Sequence, residues 1–68
     1  MKEIDARGFS CPQPVILTAE ALQSGDKEYL VLVDDFAPRE NVTRYAQNHG
    51  YKVNMTEKSD YTELHLSK

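Results

Sequence analysis

Apolar and polar residues recur at two different spacings along the chain. Lys2 to Ala6 places Ile4 and Ala6 on one side, which predicts a short strand. From Pro12 the apolar residues recur at helical spacing until Ser24-Gly25-Asp26 supplies a stop, so we expect a helix of about three turns. The apolar positions of this helix are Val15, Ile16, Ala19 and Leu22.

The rest of the chain predicts a buried strand, a second helix and a hairpin. Tyr29 to Val33 is a continuous apolar run, typical of a central strand that is covered on part of both faces. Pro38 is a favoured first helical residue, and Gly50 ends the helix that follows. Alternation on both sides of Lys58-Ser59-Asp60 indicates a hairpin. The recurring positions are Val42, Tyr45, Ala46 and His49 in the helix, and Tyr51, Val53, Met55, Thr62, Leu64 and Leu66 in the hairpin.

This order of elements predicts an α/β (α+β) two-layer sandwich. The right-handed crossover rule makes the first two strands parallel, which gives a four-stranded mixed sheet with two helices on one face. We expect residues 1–68 to form a single small domain, alone or within a longer natural chain. A chain this short hides only roughly 60% of its unfolded surface, so a large enclosed substrate cavity is not expected.

Composition and charge exclude several classes of function. A net charge of −3 without a run of Lys or Arg offers little to neutralise phosphates, so no nucleic-acid partner is expected. No segment approaches the roughly 20 apolar residues that span a bilayer, and no signal peptide is visible, so we expect a cytoplasmic protein without membrane contact. The single cysteine allows no internal disulfide, and no spacing predicts a metal site or a cofactor.

The segment Arg7-Gly8-Phe9-Ser10-Cys11-Pro12-Gln13-Pro14 contains residue choices that a fold alone does not require. Pro12 disfavours helical angles at the preceding residue, so Cys11 is predicted to be the N-cap of the first helix. Because a helix N-terminus carries about half a positive charge and free N–H groups, it favours the thiolate form of cysteine. Cys11 is therefore the candidate catalytic residue.

Neighbouring residues are candidates for shaping this site. Gly8 permits a positive φ in the turn, while Pro12 and Pro14 stiffen the first helical turn and leave the Gln13 N–H as its chief donor. Gln13 precedes a proline, a local conflict of the kind that often marks a functional site. Arg7 is a candidate for electrostatic support of an anion. Free cysteines are also often small buried hydrophobes, and from the residues alone this alternative stays open.

The segment from Asp5 to Val15 resembles the Cys-Pro-x-Pro signature of the TusA/SirA/YedF family of small sulfur-carrier proteins. The resemblance extends along nearly the whole chain, through Asp34-Asp35 and Glu40-Asn41-Val42. It implies that Cys11 accepts sulfur from a cysteine desulfurase or other donor protein as a persulfide and passes it to an acceptor protein. Phe9 stands where leucine is commoner, which leaves this chemistry untouched.

Within that family, residues 40–44 and the Gly50-Tyr51 junction are most similar to the amino-terminal domain of YedF-type proteins, which are linked to selenium metabolism. Such proteins commonly carry a second, DsrE-like domain. The alternative function is a non-catalytic regulatory or protein-binding module in which Cys11 is incidental or senses oxidation. RNA binding, suggested by fold analogy with a domain of a bacterial translation initiation factor, is disfavoured by the acidic charge.

Other polar residues are assigned structural roles. His49 and His65 are not expected to be ligands or bases. Asp34 and Asp35 are adjacent at a strand end, so we expect them to point apart and to begin a turn or contact a partner. The tyrosines are assigned to packing (Tyr45 and Tyr51) and to covering the sheet edges (Tyr29 and Tyr61).

Overall fold

The elements follow the predicted order in the computed structural model, which describes residues 2–10 and 13–68. The sheet has the strand order β1-β2-β4-β3. Its two layers confirm the predicted α+β sandwich. The elements are β1 (Lys2–Asp5), α1 (Gln13–Leu22), β2 (Glu28–Val33), α2 (Phe36–Asn48), β3 (Lys52–Glu57) and β4 (Thr62–Ser67).

Strand pairing makes the sheet mixed, as predicted. β1 pairs with β2 in parallel, whereas β4 pairs antiparallel with both β2 and β3. Asp5 lies opposite Leu32, and Val33 lies opposite Thr62. The carboxyl ends of β1 and β2 therefore meet the beginning of β4 at one edge of the sheet, which we call the motif edge.

The face of the sheet that the helices cover carries the core. The register places Val31 between Ile4 and Leu64, and Tyr29 beside Leu66, and all five side chains are buried. Full burial of one such large apolar side chain contributes about 1.5–3 kcal/mol. The other buried members of this core are Ala6, Ala21, Val33, Val42, Ala46 and Tyr51.

The opposite face carries Leu30 and Leu32, because side chains alternate along β2. Leu32 is buried, yet it does not belong to the contiguous core under the helices. Asp5 and Glu63 are its register neighbours and flank it on this face. The prediction that the central strand is covered on part of both faces is thus confirmed.

Helix α1 presents only part of the expected stripe to the core, where Val15 and Leu22 pack as predicted. Its buried residues are Pro14, Thr18 and Ala21, whereas Ile16 is 43% exposed. Ile16 follows Pro14 by two positions, which places it about 200° around the helix axis and away from the sheet. Thr18 tolerates burial because its hydroxyl donates to the Pro14 carbonyl at 2.9 Å.

Helix α2 begins at Phe36, two residues before the predicted start at Pro38. Asp35 is the N-cap, with extended backbone angles and a carboxylate that accepts from the Phe36 N–H at 2.7 Å. Pro38 fits the first turn because N–H groups there have no acceptor within the helix. Gly50 ends the helix as predicted, with φ of +86°.

We expected Tyr29 to cover a sheet edge, but its side chain is fully buried in the core. Its hydroxyl accepts from the Asp26 N–H at 2.9 Å and lies 3.0 Å from Ser24 Oγ. The ring packs edge-on against Tyr51, with 5.8 Å between centroids. This tyrosine therefore fastens the α1–β2 loop to the core.

The Tyr29→Phe substitution tests that role. We expect it to lower the free energy of unfolding in urea by about 1–2 kcal/mol, because it removes two hydrogen bonds of about 1 kcal/mol or less each, with an unchanged m-value. Tyr45→Phe is the control, because the Tyr45 hydroxyl makes no hydrogen bond to any residue that the structure describes. Equal effects of the two substitutions would contradict the assignment.

Candidate functional site

The segment that joins β1 to α1 crosses the motif edge. The Ala6 N–H donates to the Leu32 carbonyl at 2.9 Å, which extends the parallel ladder one residue beyond β1. The Phe9 N–H donates back to the Ala6 carbonyl at 3.4 Å, and the Gln13 N–H donates to the Ser10 carbonyl at 3.0 Å. The segment is thus bonded at the end of β1 and at the start of α1.

Cys11 and Pro12 lie outside the described residues, so the predicted cap of α1 by Cys11 stays a prediction. Phe9, Ser10 and Gln13, which flank the pair, are all exposed. Phe9 is 46% exposed despite its large apolar ring. The described residues on both sides of the pair are therefore at the protein surface, and Pro14 is the buried member of the motif.

Gly8 has φ of +83°, within the left-handed region that we expected for this turn. A Cβ here would meet no atom within 4 Å, so the backbone conformation alone favours glycine. The Gly8 N–H donates to Asp34 Oδ2 at 2.9 Å, across 26 positions of sequence. Asp34 and Asp35 thus act separately, since the second caps α2 and the first bonds the motif turn.

The bond between Gly8 and Asp34 was missed in the sequence analysis. A signal for it exists, because residues that follow two adjacent parallel strands meet at the same edge of a sheet. Gly8 follows β1 closely and Asp34 directly follows β2. The sequence does not reveal the register of β1 against β2, and this register decides which backbone N–H the Asp34 carboxylate reaches.

Two predicted shaping residues occupy the start of α1. Gln13 is its first residue, and its N–H is engaged by Ser10 and not available as the chief free donor that we expected. Pro14 is fully buried and begins the core-facing stripe of the helix. The start of α1 is therefore held by packing as well as by hydrogen bonds.

Arg7 is bonded to Asp5 in a bidentate pair, with Nε 2.9 Å from Oδ1 and Nη2 3.0 Å from Oδ2. Its guanidinium carbon lies 4.9 Å from the centroid of the Tyr61 ring. The side-chain hydrogen bond from Arg7 lowers the pKa of Asp5, and the same bond raises the pKa of Arg7. Electrostatic support of Cys11 by Arg7 stays a prediction, and the Asp5 carboxylate offsets the charge that Arg7 could supply.

Comparison with known proteins identifies the family. The model of the family described as "Sulfurtransferase TusA" matches residues 2–68. The chain belongs to the TusA family. A Methanocaldococcus jannaschii protein named "Putative sulfur carrier protein" is 40% identical over 62 residues, which cover 88% of this chain and 83% of that protein.

The fold of this TusA family member also matches a solved structure. The crystal structure of a SirA-like protein from Desulfitobacterium hafniense superposes with a TM-score of 0.88 at 35% sequence identity. The match covers 98% of this chain and 96% of that chain. The resemblance to the TusA/SirA family is therefore confirmed, and the family together with its curated relative supports a role as sulfur carrier.

The histidines of the TusA family chain lie away from the motif turn. His49 caps the far end of α2, where its Nδ1 lies 2.9 Å from the Tyr45 carbonyl oxygen. His65 Nε2 lies 2.8 Å from an oxygen of Glu28, the first residue of β2. Within residues 2–10 and 13–68 no cluster of His, Cys, Asp and Glu is arranged to hold a metal ion, and no helix is long and apolar enough to cross a membrane.

The pair of Arg7 and Asp5 predicts a pH effect that NMR can measure. We expect the Asp5 carboxyl to titrate below its usual pKa of about 3.9, and Arg7→Gln to move that pKa upward. Because the folded-state pKa is lowered, any stabilisation by the pair is present above the unfolded-state pKa. It disappears as the pH falls through the folded-state value.

Lys58→Gln is the control for this titration, because Lys58 pairs with Glu63 at 3.9 Å and not with Asp5. It should leave the pKa of Asp5 unchanged. The pair is exposed, so we expect at most a small change in stability. An ordinary pKa for Asp5 in the unsubstituted protein would contradict the bidentate geometry.

Proposed function

We propose that this protein is a sulfur relay in which Cys11 carries the sulfur as a persulfide. A cysteine desulfurase or similar donor protein loads Cys11, and an acceptor protein unloads it. The family match over residues 2–68 carries the proposal. Cys11 supports it further, because it stands in the Cys-Pro-x-Pro motif and is the single cysteine of the chain.

The transfer consists of two exchanges at sulfur. The Cys11 thiolate attacks the terminal sulfur of the donor persulfide, so a new S–S bond forms on Cys11 while the donor S–S bond breaks. The donor cysteine leaves as a thiolate, and the terminal sulfur keeps its proton. A nucleophile of the acceptor then attacks the outer sulfur of the Cys11 persulfide and regenerates the Cys11 thiolate. Each step exchanges one bond to sulfur for another and needs no external oxidant or reductant.

The electrostatics at the start of α1 suit an anionic sulfur. The helix has ten residues and no acidic residue in its first turn, so no carboxylate of that turn opposes a thiolate or persulfide at its N-terminus. A helix N-terminus commonly lowers a cysteine pKa below about 8.5. Arg7 would add to this effect only with the charge that Asp5 leaves uncompensated.

The shape of the motif edge suits contact with another protein. The described residues there form an open groove of about 260 Å³ between the start of α2 and the hairpin turn. Phe36 lines this groove and is 64% exposed, and Asp34 connects it to the motif turn. An open surface of this kind fits a large partner better than a small enclosed substrate.

The relay can be tested by intact mass spectrometry under non-reducing conditions. The protein is incubated with cysteine, pyridoxal phosphate and a cysteine desulfurase, beside a matched Cys11→Ser variant. We expect the mass of one added sulfur atom, removable by reductant, on the unsubstituted protein alone. Selenocysteine in place of cysteine as the substrate of the desulfurase tests the alternative cargo, because it supplies selenium at the oxidation level of a persulfide sulfur.

If no donor protein loads sulfur onto Cys11, the relay proposal is wrong, and the alternative of a non-catalytic regulatory or protein-binding module is favoured. Loading of the Cys11→Ser variant would equally contradict the assignment. Urea unfolding of the variant provides the control for folding, because one sulfur-to-oxygen replacement should leave stability nearly unchanged.

A further inference from the structure

We propose that Asp34 is a positioning residue for the sulfur-carrying turn. Its carboxylate binds the Gly8 N–H and thereby holds the turn that leads, three residues later, to Cys11. The inference rests on the proposed function and deepens it. Asp34 acts through the backbone and needs no contact with the sulfur.

The first support is the connectivity of the turn. Among hydrogen bonds between described residues, the bond from Gly8 to Asp34 is the one that links residues 7–10 to a residue beyond the β1–α1 segment. The local bond from Phe9 to Ala6 is long, at 3.4 Å. Without the carboxylate, the turn would keep only local hydrogen bonds, beside the contact of Arg7 with the Tyr61 ring.

The second support is the conformation of Gly8. A glycine with positive φ directs the chain sharply away from β1, and glycine also has the largest conformational freedom of any residue. The Asp34 carboxylate, which directly follows the neighbouring strand β2, restricts Gly8 to one conformation. Reactive groups need such fixed geometry, because small displacements reduce reaction rates strongly.

The third support is the lack of another task for Asp34. Asp34 is exposed, it makes no ion pair within the described part of the chain, and Asp35 already caps α2. Water could satisfy the Gly8 N–H equally well in an exposed turn. What the carboxylate adds is a tether between the two strand ends.

Adjacent aspartates make the test well matched. Asp34→Ala removes the acceptor, Asp34→Asn removes the charge but keeps an oxygen acceptor, and Asp35→Ala removes only the cap of α2. The partner-free measurement is the pH profile of Cys11 alkylation by iodoacetamide. The second measurement is the rate of sulfur loading by the desulfurase, and the third is amide exchange at Gly8.

The expected results separate the bond from the charge. Relative to Asp34→Asn, Asp34→Ala should raise the apparent pKa of the Cys11 thiol, speed exchange of the Gly8 amide and slow loading about fivefold to tenfold, as expected for one lost hydrogen bond. Asp34→Asn should load within about twofold of the unsubstituted protein. Asp35→Ala should lower the melting temperature and leave the pH profile of Cys11 alkylation and the exchange rate of the Gly8 amide unchanged.

The positioning role would be overturned if Asp34→Ala and Asp34→Asn gave the same Cys11 alkylation profile, loading rate and Gly8 amide exchange. It would also be overturned if Asp35→Ala reproduced the alkylation profile and amide exchange of Asp34→Ala. Failure of the proposed function is recognised separately. If no donor loads the unsubstituted protein, the relay is wrong, while alkylation and amide exchange still decide the role of Asp34.

Discussion

The parallel pairing of β1 with β2 is the constraint on which the rest of this structure depends. Because both strands run in the same direction, the segments that follow them leave the sheet at one edge. The motif turn and the start of α2 are therefore neighbours, although they are 26 positions apart where Gly8 meets Asp34. An antiparallel pair would have placed them at opposite ends of the sheet.

That pairing also explains how a chain of only 68 residues holds the motif turn in place, because it makes β2 the central, buried strand to which the turn is attached. β2 is the strand that is buried most completely, and it carries both the parallel neighbour β1 and the antiparallel neighbour β4. Tyr29 fastens its beginning to the α1–β2 loop, and Asp34 fastens its end to the motif turn. The exposed motif turn is thus joined to the end of the most deeply buried strand by one directed hydrogen bond, from Gly8 to Asp34.

Strong periodic patterns made the fold predictable. The unbroken apolar run at Tyr29 to Val33 and the alternation in the hairpin allow few other interpretations, and the structure confirms both. The stripe of α1 was predictable from hydrophobicity only in part, because Thr18 is buried with its hydroxyl bonded to its own helix while Ile16 faces water. The start of α2 was misplaced because the cap at Asp35 outweighs the preference of Pro38 for the first position.

Some features of the candidate site could likewise be predicted from the local sequence, whereas others depend on contacts between distant parts of the chain. The positive φ of Gly8 follows from local chemistry, and the motif indicated the family that the comparisons confirm. The contact of Gly8 with Asp34 depends on the register of β1 against β2, which no local pattern encodes. A carrier of this size has few residues with which to position a thiol. An aspartate that directly follows the central strand can do so without entering the reaction, which leaves the sulfur free to meet a donor and an acceptor in turn.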